Sequence, residues 1–427
     1  MKILNRGKDS KDTESFNKIK VNDEPSLKLL NSILNEESNL GNRSISENST
    51  IFRLKSDDVK LIAFYLPQFH QIPENDKWWG EGFTEWTNVK SSKPTFKGHN
   101  MPRVPLNKNY YNLTDNSTLR WQADLAKKYG IYGFAYYHYW SEGNMLLEKP
   151  AEIMLEDKSI DLPFCFSWAN HTWTRVWADK TNELLWEQKY GDEKDWEKHF
   201  NYLLPFFKDE RYIRIDNKPL MILYNPKGVK EYPKMIKLWQ KLALDNGLDG
   251  IYFLHQQNEF DHNEGNSNGL YEGGIEFQMN RAVTEYISKS ITFLLERVLN
   301  RVADRIPLLR CKATTMHYSY DDIWKIVLNQ DPKGNDWYPG AFVDWDNTPR
   351  RKNRGQLCTD VTPEKFQYYL TKQIKRAKEI YNKEYLFMFA WNEWGESGYL
   401  EPDEKFGYAM LEAIRNALKK SGVKIEN

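Results

Sequence analysis

Eight compact apolar runs, separated by segments of helical period and spread over roughly 360 residues, constrain this chain more than any other feature. The runs lie at 59–65, 133–137, 162–167, 219–224, 250–254, 275–277, 340–343 and 386–390. Most are four to seven residues long and rich in Ile, Val, Phe and Tyr, as strands buried on both faces require. Leu119, Ala123 and Ala126 mark a helix before the second run, and Met235, Leu238, Trp239 and Leu242 mark one before the fifth. A longer stripe (Ile287, Ile291, Leu295, Val298, Val302, Ile306) precedes the seventh, and Met410, Ile414 and Leu418 share one face of a final helix. Thr362-Pro363 supplies an N-cap followed by proline at the first helical position. The expected fold class is therefore α/β, a (β/α)8 TIM barrel with enlarged loops and a polar N-terminal extension. A doubly wound open sheet is the competitor, but Leu66-Pro67-Gln68-Phe69-His70 follows the first run where that fold carries a glycine-rich phosphate loop.

No Trp or Tyr occurs before residue 58, and the preceding stretch is rich in Asn, Ser, Lys, Asp and Glu. Two segments are expected: 1–57, an extension with a short amphipathic helix at 25–34, and 58–427, the barrel. Sixty basic side chains balance sixty acidic ones, which argues against a nucleic-acid partner. No window has the run of about 18 apolar residues that a membrane span needs, and no apolar leader follows the first residues, so a cytoplasmic location is the expectation. Cys165, Cys311 and Cys358 lack metal-ligand spacing and read as reduced, buried thiols; neither a metal nor a cofactor site is expected.

In a barrel, the C-terminal ends of the strands share one mouth, so the residues there are the candidates for chemistry. Aromatic residues make up 15% of the chain, with 16 Trp and 25 Tyr, and they recur beside amides and carboxylates at these ends. Such pairings suit sugars, whose CH faces stack on rings and whose hydroxyls need polar partners. The candidate substrate contacts are Tyr65, Gln68 and His70 after the first run, Glu85 and Trp86 in its loop, and His138 after the second. Trp168, Asn170, His171 and Arg175 follow the third, His255 the fifth, Asp344 the seventh, and Trp391, Asn392 and Trp394 the last. Asp344 and Asp346 could instead hold a divalent cation or cap their loop, and His70, His138 and His255 could converge on zinc or simply hydrogen-bond within the mouth, the preferred reading. Arg175 and Asp179 could form an ion pair across Trp177.

Glu393 and Glu396, in Trp391-Asn392-Glu393-Trp394-Gly395-Glu396, are the candidate catalytic pair. Glycosidic cleavage commonly uses one carboxylic acid and one carboxylate. A turn brings i and i+3 to one side, and Gly395 makes that turn accessible. Mutual repulsion and burial would then raise one pKa.

These residues carry a resemblance. Ala63-Phe64-Tyr65-Leu66-Pro67-Gln68-Phe69-His70, Gly82-Phe83-Thr84-Glu85-Trp86, Phe164-Cys165-Phe166-Ser167-Trp168-Ala169-Asn170, Lys218-Pro219-Leu220 and Asn392-Glu393-Trp394-Gly395-Glu396, followed by Tyr399-Leu400-Glu401-Pro402-Asp403, resemble the WbsX-like family of polysaccharide-cluster proteins. Its domain is similar to glycoside hydrolase family 99. The resemblance implies a (β/α)8 barrel and a retaining reaction on an alpha-linked glycan through a 1,2-anhydro sugar. Carried over, Glu393 is the base toward the sugar 2-hydroxyl and Glu396 the general acid. Relatives usually show Trp-Ala-Asn-Glu, and His171 stands at that Glu position here. The expected partner is a glycan or glycoconjugate substrate. The alternatives are a glycosyltransferase using a sugar nucleotide in surface-polysaccharide biosynthesis and a non-catalytic glycan-binding protein.

Overall fold

The computed structural model describes residues 58–175, 183–225, 231–257, 270–289, 298 and 315–423. The expected helix at 25–34, Trp177, Asp179, Cys311 and most of the 287–306 stripe lie outside the described residues. Seven of the eight apolar runs overlap strands of one parallel sheet and the sixth, 275–277, meets its strand only at Ile275: β1 (Lys60–Tyr65), β2 (Ile131–Ser141), β3 (Phe164–Trp168), β4 (Lys218–Leu223), β5 (Tyr252–Gln256), β6 (Gly273–Ile275), β8 (Gly340–Phe342) and β9 (Tyr385–Phe389). A ninth segment, β7 (Trp337–Tyr338), pairs with β6, while β8 pairs with β9. Only Pro339 separates β7 from β8, so the two ends of the sheet meet in one short stretch of chain. The result is a near-closed parallel sheet ringed by helices, a TIM-barrel-like architecture.

Helices form where the local signals coincide. Asp115 accepts a hydrogen bond from the Ser117 N–H at the start of α2 (Asn116–Tyr129), and Gly130, at φ 90°, ends it. Leu119, Ala123 and Ala126 form its buried stripe. The Thr362 hydroxyl accepts from the Lys365 N–H to open α7 (Pro363–Glu379). Between them lie α3 (Glu193–Phe207), α4 (Tyr232–Asp245), α5 (Asn280–Lys289) and α6 (Tyr320–Asn329); α1 (Glu85–Ser91) lies in the first loop and α8 (Ala409–Lys420) closes the chain.

Strand alternation sorts side chains between the interior and the helix-facing layer. Phe64 points inward and meets Tyr137, Phe277 and Phe387 with ring centroids 5.6–6.3 Å apart. Tyr65, one residue on, faces α2 and donates to Gln122 at 2.7 Å. Much of the aromatic excess fills these layers. Trp168, Trp239, Trp324, Trp337, Trp391 and Trp394 are all fully buried, and Trp168, His199 and Trp239 pack together between β3, α3 and α4. Burying such side chains removes large apolar areas from water, at about 25 cal/mol per Å².

Candidate active site

Glu393 and Glu396 lie just beyond β9. Asn392–Glu393 pairs antiparallel with Gly398–Tyr399, and Trp394–Glu396 forms one 3-10 turn between them. That turn places both carboxyl groups on one guanidinium. Arg350 reaches Glu396 Oε1 through Nη1 at 2.8 Å and Glu393 Oε2 through Nη2 at 3.1 Å, and its Nε donates to Glu85 Oε1 at 2.8 Å. Gly395 is required by this approach, since a Cβ there would stand 1.9 Å from Glu85 Oε1 and 2.8 Å from Arg350 Nε. Gly398 is equally confined, with the Phe389 ring 2.3 Å from its would-be Cβ. The backbone fixes the turn from the seventh loop, where the Asp346 N–H donates to the Glu396 carbonyl at 2.8 Å.

Burial pushes the Glu393 carboxyl up to about 8; Arg350 opposes the rise, while Glu396 and Glu85 add to it. Tyr137 and Tyr139 project inward from β2 beside this cluster. Burial raises both phenols, and the Glu393 charge raises them further. Tyr224, after β4, neighbours both tyrosines, and its ring meets the His171 ring at a tilt with centroids 5.1 Å apart. Trp173 meets Tyr139 edge-on at 5.1 Å and Trp78 and Trp186 at 5.9 Å, continuing the aromatic wall with half-exposed rings. Glu85 is thus tied to the acid pair through Arg350, whereas His171 meets the group only through Tyr224; Tyr137 and Tyr139 stand beside the acids, with Tyr224 and Trp173 next to them.

The other expected contacts go elsewhere, and strand parity explains several. Tyr65 and His138 face helices; His138 Nε2 lies 2.8 Å from His199 Nε2, and burial lowers its pKa to about 3. Trp168 donates to the Trp140 carbonyl, and Trp391 packs against Phe134 in the layer of Tyr65. His255 Nδ1 pairs with the Gly273 carbonyl and its ring lies against Trp337, so His70, His138 and His255 do not converge. Asn392 clasps the N–H and carbonyl of Leu66, and Asn170 does the same for Asn225. These two buried amides tie loops rather than present free ends.

Trp86 donates to the Tyr111 carbonyl and Trp394 to Glu401 Oε2, while the Trp394 ring stacks on Tyr399 at 3.7 Å. His70 lines a separate pocket of about 640 Å³ with Trp86 and Tyr110, and burial lowers it to about 4. Gln68 is half-buried, and its carbonyl accepts from the Glu85 N–H. Arg175 pairs with Glu183 at 2.7 Å and lies over the Trp79 ring.

Asp344 and Asp346 are engaged by protein cations and donors. Asp344 pairs with Arg103 at 2.7 Å, while Asp346 lies 2.7 Å from His99 Nε2 and accepts from Thr348. Both are buried. Among the described residues, no group of three or more His, Cys, Asp or Glu is arranged to hold a metal ion. Cys165 and Cys358 are buried free thiols, as expected.

A TIM-like barrel with a carboxylate pair and an aromatic wall at its mouth belongs with carbohydrate-active proteins. The particular family is also plain: the chain belongs to the glycosyltransferase WbsX family, which it matches over residues 61–414. Two curated relatives, both uncharacterized proteins WxcX from strains of Xanthomonas campestris pv. campestris, are 33% identical over 364 residues. The alignment covers 84% of this chain and 50% of each relative, so the chain spans about half their length. Among solved structures, a glycoside hydrolase-like protein superposes with a TM-score of 0.52 at 13% identity, covering 90% of this chain and 98% of its own. This likeness shows the fold alone. A GH99 endo-alpha-mannosidase from Bacteroides thetaiotaomicron reaches 0.49 at 14% identity, covering 86% and 99%, and carries no inference about activity. No helix among the described residues is long and apolar enough to cross a membrane.

Proposed function

We propose that this chain catalyses glycosyl transfer at the Glu393–Glu396 centre, breaking a glycosidic bond in an alpha-linked glycan and passing the sugar to water or to an acceptor hydroxyl. The observation that carries this reading is the pair of carboxylates on adjacent nitrogens of Arg350, with tyrosines and Trp173 beside them. In the first step Glu396 protonates the leaving oxygen and Glu393 takes the proton of the sugar 2-hydroxyl. The 2-oxygen closes on C1 as the glycosidic bond breaks, giving a 1,2-anhydro sugar. Glu396 then deprotonates water or the acceptor as it attacks C1, and Glu393 returns its proton to the 2-oxygen. Burial raises Glu393 to about 8, so it must give up a proton before it can act as the base, and its basic form gains population as pH rises through that value.

The family's description names a glycosyltransferase, which supports a second reading: transfer from a sugar nucleotide, as surface-polysaccharide assembly would use. The Asp344/Asp346 pair that would suit a metal-bound diphosphate is held by Arg103 and His99, so this donor would need other contacts. Incubation with a panel of alpha-linked oligosaccharides and sugar nucleotides, with acceptors present and products read by mass spectrometry, separates the readings. Oligosaccharide shortening or rearrangement is expected. Release of nucleoside phosphate alone would replace the first reading with the second, and consumption of neither donor class would remove both.

A further inference from the structure

Three carboxylates meet one cation at the mouth, and only two of them belong to the proposed reacting pair. Arg350 spends each guanidinium nitrogen on a different residue: Nη1 on Glu396, Nη2 on Glu393 and Nε on Glu85. The third carboxylate is not incidental surface charge. Glu85 sits in the first turn of α1 at 2% exposure, and the confinement of Gly395 against its Oε1 shows that the acid-bearing turn is folded around the Glu85–Arg350 contact. The Asn88 amide also approaches Glu85 Oε2, at 3.4 Å. We propose that Arg350 and Glu85 form a positioning pair for the reaction: Arg350 draws Glu393 and Glu396 onto one side of the turn, and Glu85 both aims the guanidinium and offsets its charge.

The inference rests on the reading of Glu393 and Glu396 as the reacting groups, but its physical content is independent of any substrate. A guanidinium shared among three carboxylates cannot fully neutralise all of them, so the buried member it holds at the longest distance gains most from holding a proton. Glu393 is 5% exposed and receives Arg350 at 3.1 Å, the longest of the three contacts. The titratable or charged groups that act on it are Arg350 from the seventh loop, Glu85 from α1, Glu396 from its own turn, and Tyr137 and Tyr139 from β2. Arg350 opposes protonation of Glu393, whereas Glu85 and Glu396 favour it. Removing the cation and removing the third carboxylate must therefore move Glu393 in opposite directions.

The test is a carboxyl-carbon NMR titration of full-length protein labelled with [5-13C]glutamate, with the Glu393 signal assigned by its loss in Glu393→Gln. Arg350→Met should shift the Glu393 midpoint upward by about one pH unit or more, and Glu85→Gln should shift it downward. The Glu85→Gln change keeps the shape and an acceptor oxygen for Arg350 Nε while removing the charge. Arg350→Lys should fall between wild type and Arg350→Met, because an ammonium keeps the charge but not the three-pronged geometry. General loosening of the fold would move the Arg350→Met and Glu85→Gln midpoints the same way. Unchanged midpoints, or shifts of one sign, would overturn the proposal. If Arg350→Met does not fold, Glu85→Gln decides alone: a downward shift supports the proposal, and no shift or an upward one refutes it. Failure to find any donor would remove the proposed activity without touching this result. If a donor is found, the two variants should lower kcat more than they alter KM, with pH–rate profiles displaced in the same opposite senses.

Discussion

Gly395→Ala is the sharpest local perturbation of the acid-bearing turn. The added methyl carbon would start 1.9 Å from Glu85 Oε1, 2.8 Å from Arg350 Nε and 2.9 Å from Glu85 Cδ. Normal contact requires the oxygen to withdraw by roughly 1.5 Å. Glu85 is buried and held by Arg350 at 2.8 Å, so withdrawal stretches that ion pair beyond hydrogen-bond range. Overpacking costs about 1–3 kcal/mol. Weakening a charge-assisted hydrogen bond adds about 1.5–3 kcal/mol, less whatever water recovers. A total of roughly 2–5 kcal/mol should lower Tm by about 2–6 °C in a chain of this size. Activity should suffer more than stability, because a shift of about 1 Å in a reacting group can cost about a hundredfold in rate. Thermal unfolding by circular dichroism reads the first effect, and turnover of a donor found by product analysis reads the second. Melting within about 1 °C of wild type, with full turnover, would refute the close-packed turn on which the site depends.

Glu393→Gln should flatten part of the pH dependence of stability. The folded carboxyl titrates near 8 and the unfolded one near about 4.3, so the folded state binds the extra proton between them. The stabilisation is complete below the unfolded value and is lost as pH rises through 8; the variant should therefore gain on wild type from pH 5 to pH 9 in thermal melts, whereas parallel curves would contradict the shift. Asp344→Ala should destabilise by about 3–5 kcal/mol in denaturant titrations by leaving Arg103 buried without its partner; a loss confined to glycan affinity would instead restore Asp344 as a sugar contact. Trp173→Ala removes the ring against Tyr139 and should weaken oligosaccharide binding about tenfold by calorimetry, and unchanged affinity would take the aromatic wall out of recognition.

The barrel was legible because burial on both faces makes parallel strands continuous apolar runs, and even the three-residue run at 275–277 meets a strand end. The split seventh strand was not, since pairing to different neighbours on either side of Pro339 leaves no pattern in sequence. The Glu393–Glu396 turn could be anticipated from i, i+3 spacing and Gly395, but Arg350 could not: it is separated from Glu393 by 43 positions and stands in sequence beside the aspartates. Choosing the polar residue nearest each strand end also neglects alternation. Phe64 inward implies Tyr65 outward, and the same parity along β2 turns Tyr137 and Tyr139 toward the mouth and His138 toward α3. Asn170 and Asn392 match the chemistry of sugar contacts, yet each has its amide consumed by a distant backbone, a long-range pairing that composition does not reveal.

The decisive measurement is single-turnover product formation by wild type, Glu393→Gln and Glu396→Gln on the same accepted donor, with donor affinity measured in parallel. Both substitutions should reduce the rate by at least about a hundredfold while donor affinity changes little, because each removes a proton-transfer group and leaves the aromatic wall in place. Wild-type rates in either variant would show that the chemistry proceeds without that carboxylate and would contradict the account.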